Sequence, residues 1–101
     1  MITKDIEILN EVLNSVKAGV TGEYDQLEYE VVIADGYIDT ALVVKLNGVE
    51  VDQNNYSINN SLIYKMVKAL KESAIGRGES WKSFMISFRD GEQVKVKFEY
   101  G

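Results

Sequence analysis

Two dipeptides, Asp35-Gly36 and Asn47-Gly48, constrain this chain more than any other feature of its sequence. Each combines an Asx residue with glycine, the pair that tolerates the positive φ angles of a two-residue hairpin turn. Each also lies between runs rich in β-branched and aromatic residues: Leu27–Ile33, Tyr37–Leu46 and Val49–Val51. A two-residue turn fixes the register of the strands it joins, so the turns can be checked against the hydrophobic pattern. A turn at 35–36 pairs Ile33 with Ile38 and Val31 with Thr40. A turn at 47–48 pairs Leu46 with Val49 and Val44 with Val51. One face then gathers Leu27, Tyr29, Val31, Ile33, Ile38, Leu42, Val44, Leu46, Val49 and Val51. The other gathers Glu28, Glu30, Asp39, Lys45 and Glu50 with Tyr37, Ala41 and Val43. Pattern and turns agree on a three-stranded antiparallel meander with one apolar face.

The flanking segments have a different period. Ile2, Ile6, Leu9, Val12, Leu13 and Val16 recur every three or four residues, which predicts a helix with Thr3 as its N-cap, ended by Gly19 and Gly22. Leu62, Ile63, Met66, Val67, Leu70, Ala74 and Ile75 predict a second helix, stopped at Gly76-Arg77-Gly78. Phe84, Ile86 and Phe88, then Val94, Val96, Phe98 and Tyr100, predict a last hairpin. A two-residue turn at Asp90-Gly91 would set these apolar sets on opposite faces. A three-residue loop, Arg89-Asp90-Gly91 with Gly91 left-handed, pairs Phe88 with Glu92 and brings them together. The expected fold is α+β in the order α-β-β-β-α-β-β: a two-layer domain over residues 1–101, with a largely antiparallel sheet and two helices packed on one face.

Function classes narrow by composition. The chain has no histidine and no cysteine, which removes the commonest proton carrier and metal ligand as well as thiol chemistry and disulfides. A reducing cytoplasm is the expected location, since the acids among the first residues do not suit a secretory signal and no apolar run reaches the ~20 residues of a membrane span. Asp52-Gln53-Asn54-Asn55 begins like a calcium loop, but Ser57 stands where glycine is required and Ile63 where a bidentate Glu is required, so no metal or other cofactor is expected. A carboxylate pair among Glu28, Glu30 and Asp39 would suit acid–base chemistry, yet these positions fall on a face rather than in a cleft. A solvated outer face accounts for them, and no enzyme is expected. A basic stripe of Lys65, Lys68, Lys71, Arg77, Lys82, Lys95 and Lys97 is set against a pI near 4.7, which argues against direct binding of nucleic acid.

Charge is unevenly spread. Residues 1–52 carry eleven acids and three bases, whereas residues 53–101 carry five acids and eight bases. Between Thr21 and Asp39 six acids occur with no base, alongside Tyr24 and Tyr37. Such a segment attracts basic partners and speeds their association, and aromatics set among charges are common interface anchors. Glu23, Tyr24, Asp25, Glu28, Glu30, Tyr37, Asp39 and Glu50 are therefore the candidate partner-binding residues. The competing readings are that the acids serve only solubility and that the tyrosines lie flat on the sheet.

The last hairpin carries a family resemblance. Trp81-Lys82-Ser83-Phe84-Met85-Ile86-Ser87-Phe88, the Asp90-Gly91 turn and Val94-Lys95-Val96-Lys97-Phe98-Glu99-Tyr100 resemble the C-terminal signature of the YezG-like immunity proteins. In that signature a Trp opens a strand, a Gly turn follows, and the final strand alternates Lys, aromatic and acidic residues. The preceding order of helix, meander and helix is also similar. The resemblance implies an antitoxin: a cytoplasmic protein that neutralises, by stoichiometric complex formation, a bacterial toxin domain of the kind delivered between competing cells, often a basic nuclease. The alternative is a small structural or regulatory adaptor, homodimeric through an exposed strand edge.

Overall fold

The expected element order is found in the computed structural model of the chain, which describes residues 3–34, 37–52 and 56–100. The elements are α1 (Thr3–Ala18), β1 (Gln26–Ala34), β2 (Tyr37–Leu46), β3 (Val49–Glu50), α2 (Asn60–Gly76), β4 (Ser83–Arg89) and β5 (Lys95–Glu99). The class is α+β, with two helices and a five-stranded antiparallel sheet. The chain divides into two units, a helical one (Met1–Thr21 with Tyr56–Ser80) and a sheet one (Gly22–Asn55 with Trp81–Gly101).

In the helical unit α1 and α2 pack on each other. Ile8, Leu9, Val12, Leu13 and Val16 form the buried stripe of α1, and Val20 is buried beyond its end. Two details correct the expected stripe. Ile6 is 48% exposed, and the position it was to fill belongs to Asp5, only 2% exposed. Residues 5, 8, 9, 12 and 16 share one side of a helix of 3.6 residues per turn, whereas residue 6 is turned about 100° away from residue 5. Thr3 is the first helical residue rather than the cap preceding the helix; Ile2, the start of the expected stripe, lies outside the described residues.

A buried carboxylate needs charged or hydrogen-bonding partners. Asp5 receives Ser73 Oγ–H on Oδ1 at 2.8 Å and Arg77 Nη2 on Oδ2 at 2.7 Å. Arg77 also donates to Ser73 Oγ at 2.8 Å and to Glu79 Oε2 from both Nε and Nη2, at 2.9 and 2.6 Å. These bonds to Glu79 and Asp5 raise the Arg77 pKa further above its ordinary value. The end of α2 places the guanidinium there. Arg77 is the C-cap, Gly78 follows at φ +79°, and the N–H groups of Gly78 and Glu79 reach back to the carbonyls of Ile75 and Ala74. This is a complete Schellman closure, which satisfies carbonyls the helix cannot. At the other end Asn59 Oδ1 accepts the Leu62 N–H at 3.2 Å as N-cap. The buried stripe of α2 is Ile63, Val67, Leu70 and Ala74, narrower than expected, since Leu62 and Ile75 are exposed.

The segment entering α2 is tied to the end of α1. Val20 bridges Tyr56, and the Ser57 N–H donates to the Gly19 carbonyl at 2.6 Å. Of the polar segment read as calcium-like, residues 53–55 lie outside the described residues. Among the described residues no three Asp or Glu side chains gather in a metal-holding group, and no helix is long and apolar enough to cross a membrane.

In the sheet unit the order is β3-β2-β1-β4-β5, so β1 is the middle strand. The meander has the register its turns dictate: Ile33 opposite Ile38, Val31 opposite Thr40, Leu46 opposite Val49. The Val51 N–H continues it by donating to the Val44 carbonyl at 2.8 Å. Asn47 and Gly48 both have positive φ, 53° and 82°, as a turn matched to the twist of the strands requires. Residues 35–36 lie outside the described residues, although Ala34 and Tyr37, on either side of them, pair.

Leu27, Tyr29, Val31, Val44, Phe84 and Ile86 are buried on the expected apolar face. Trp81, also buried, packs its ring against Phe84 and Phe98 at centroid distances of 5.3 and 5.5 Å. Val49, expected on this face, is exposed, because β3 covers only the end of β2. The last hairpin corrects the expected register by two residues: Phe84 faces Phe98 and Ile86 faces Val96. Gly91 is left-handed at φ +81°, and the Glu92 N–H closes a turn onto the Arg89 carbonyl. The connection nonetheless runs on through Val94: the ladder with β5 ends at Ser87–Lys95, and Phe88 and Arg89 pair only on the other side of β4, with Leu27 and Gln26 of β1. Val94 and Tyr100, expected in the apolar set, are exposed.

Candidate functional site

The face of the sheet opposite the buried one carries most of the candidate partner-binding residues. Side chains alternate along a strand, so Glu28 and Glu30 of β1 project with Tyr37 and Asp39 of β2 and Glu50 of β3. Glu28 and Glu30 are half-buried between neighbouring strands, while Asp39, Glu50 and Tyr37 are exposed, Tyr37 at 63%. Across the strand pairs Glu28 faces Val43, Glu30 faces Ala41, Val32 faces Asp39 and Lys45 faces Glu50.

Three candidates have other placements. Glu23 is exposed in the connection before β1. The Tyr24 ring meets Phe88 edge-on at 6.2 Å, and partial burial raises its phenol pKa above the ordinary 10.0. Asp25 Oδ2 accepts the Asn47 N–H at 3.1 Å, and the Asp25 backbone joins Lys45 and Asp90. Tyr24 and Asp25 therefore hold the ends of the sheet strands together, and Asp25 fixes the β2–β3 turn.

Reading the sequence locally leaves out the other half of this face. β4 lies beside β1, so Ser87 and Met85 sit opposite Glu28 and Glu30, and beyond them on β5 are Lys95 and Lys97. Arg89 sits opposite Gln26, and Glu99 opposite Ser83. Neighbouring strands are about 4.8 Å apart, which separates the backbones of the lysines and of the two glutamates by roughly 10 Å, and among the described residues no ion pair joins them. The face is thus divided. Over β1–β3 it has four acids (Glu28, Glu30, Asp39, Glu50) and one base (Lys45); over β4–β5 it has three bases (Arg89, Lys95, Lys97) and one acid (Glu99).

Where the halves meet, a depression of about 240 Å³ is bordered by Glu28, Ser87, Arg89 and Lys95. It is open to solvent on the sheet surface and carries both signs of charge, so it provides neither exclusion of water nor a single-sign ligand site. The features suited to recognition are the acidic half and the apolar and aromatic groups between its acids, Tyr37, Ala41 and Val43. Compared with models of known protein families and with curated proteins, the chain matches none.

Proposed function

We propose that this chain is an immunity protein that neutralises a basic toxin domain by stoichiometric complex formation through the outward face of β1–β3. The observation that carries the proposal is the segregation of charge on that face. Glu28, Glu30, Asp39 and Glu50 supply the field that steers a basic surface into register, and Tyr37, with Ala41 and Val43 farther along β2 on the same face, supplies the apolar contact that holds it. Glu23 lies at the rim, while Tyr24 and Asp25 keep the frame in place. A nuclease is the natural class of partner, because its own substrate obliges it to be basic around its active site, and an acidic face occupies the phosphate positions. The resemblance of Trp81–Tyr100 to the YezG-like hairpin supports the same reading. The site of action is the cytoplasm, where the nucleic acid to be protected lies.

Co-expression with a candidate toxin domain from an adjacent reading frame tests the proposal. Cells producing both should survive, and the triple variant Glu28→Lys, Glu30→Lys, Asp39→Lys should lose protection while remaining folded. Absence of protection by the unaltered chain, or full protection by the variant, contradicts it.

A further inference from the structure

Among the described residues, one edge of the sheet is almost unpaired. β2 pairs along its whole length with β1 on one side, but on the other side β3 reaches only Lys45 and Leu46, with Val51 adding a bond to Val44. Among the described residues no strand pairs with Tyr37–Val43 on that side. The Val44 carbonyl points to this edge, and successive residues of a strand direct their backbone groups to alternate sides. Ile38, Thr40 and Leu42 therefore present their N–H and C=O groups there, as a template for another strand.

We propose that the occupant is the same edge of a second copy of this chain, antiparallel, with a two-fold axis at Thr40. That register sets Ile38 against Leu42 of the second copy on the inner face and Tyr37 against its Val43 on the outer face. Asp39 then faces Ala41 of the second copy, and Thr40 faces Thr40. The large apolar residues of the open stretch, Tyr37, Ile38, Leu42 and Val43, each meet one another across the axis, and the two symmetry-related contacts repeat it. Neighbouring registers are worse. An axis at Asp39 sets two carboxylates directly opposite each other. An axis at Ala41 requires the edge groups of Val44, which Val51 already occupies. An axis at Ile38 runs out of strand at Tyr37. Pairing about Thr40 forms roughly six backbone hydrogen bonds and a continuous sheet of two copies. The interface is at the small end of specific ones, so the dimer dissociates in roughly the micromolar-to-millimolar range. Its axis is normal to the sheet, which puts both outward faces on one side with their acidic halves adjoining. This inference does not depend on what the acidic half binds.

Sedimentation equilibrium of the full chain from about 1 μM to about 1 mM tests it. A monomer–dimer equilibrium is expected. Thr40→Pro removes an N–H that β1 does not use and should abolish the dimer with the fold kept, as read by circular dichroism. Ala41→Lys, facing Asp39 across the axis twice, should tighten the dimer roughly two- to thirty-fold, and Ala41→Glu should loosen it by a similar factor. A monomer at every concentration, a dimer that survives Thr40→Pro, or both Ala41 variants shifting the equilibrium in the same direction would overturn the proposal.

Discussion

Replacing glycine by alanine should have opposite effects at two positions, and the structure gives the reason for each sign. At Gly19 an added Cβ would lie 2.5 Å from the Ser57 carbonyl oxygen and 2.7 Å from Ile58 Cδ1, about an ångström short of ordinary contact in the first case. The obstacle is backbone, so the segment 57–58 must retreat. Crowding of this kind costs about 1–3 kcal/mol. The retreat also lengthens the Ser57 N–H bond to the Gly19 carbonyl, now 2.6 Å, at a further cost of about 0.5–1.5 kcal/mol. Against this, alanine restricts the unfolded chain and returns about 0.4–1 kcal/mol. The net loss for Gly19→Ala is about 2 kcal/mol, or roughly 8–16 °C in Tm for a chain of this size. At Gly76, the last residue of α2, a Cβ meets nothing within 4 Å. Only the helix-propensity and unfolded-chain terms remain, and Gly76→Ala should gain about 0.4–1 kcal/mol, a few degrees in Tm. Urea and thermal unfolding by circular dichroism measure both. Equal signs, or a neutral Gly19→Ala, would refute the close approach of 57–58 to the end of α1.

Asp5→Asn keeps the shape of the side chain but removes the charge that Arg77 meets, and should lower stability by about 1–3 kcal/mol in urea titrations; a gain in stability would contradict the buried-acceptor role. Tyr24 gives a pH dependence. Burial raises its pKa, so the folded state prefers the protonated phenol; this contribution is complete below the ordinary value of 10.0 and is lost as pH rises above it. Tyr24→Phe should therefore flatten the decline of the urea midpoint above that pH, and an unchanged decline would remove Tyr24 as a contributor.

The meander was legible because its turns and its alternation specify the same register independently, as the pairing of Ile33 with Ile38 and Leu46 with Val49 shows. The last hairpin was legible only in part. Its apolar period is two, so moving Phe84 from Val96 to Phe98 leaves both apolar sets on the same face, and the pattern fixes the register only to within two residues. Where the ladder with β5 ends at Ser87–Lys95, Phe88 and Arg89 stay paired only with Leu27 and Gln26 of β1, partners far away in sequence that local alternation does not reveal. Asp5 was hidden for a similar reason. An acid in the first turn of a helix suits the helix dipole whether or not it is buried, and its partners Ser73 and Arg77 lie at the far end of α2. The divided charge of the outward face depends on β4 lying beside β1. Local alternation places Glu28 and Glu30 on a face, but only the strand order brings Lys95 and Lys97 onto that same face.

Binding of a basic partner over β1–β3 is tested most directly by the association rate constant with a candidate toxin domain from an adjacent reading frame, measured by stopped flow from low to high salt. The unaltered chain should associate fast at low salt and slow steeply as salt rises. The triple variant Glu28→Lys, Glu30→Lys, Asp39→Lys should lose most of that rate, whereas Lys95→Glu with Lys97→Glu should preserve or raise it. Salt-independent association, or a triple variant as fast as the unaltered chain, would contradict the assignment of this face.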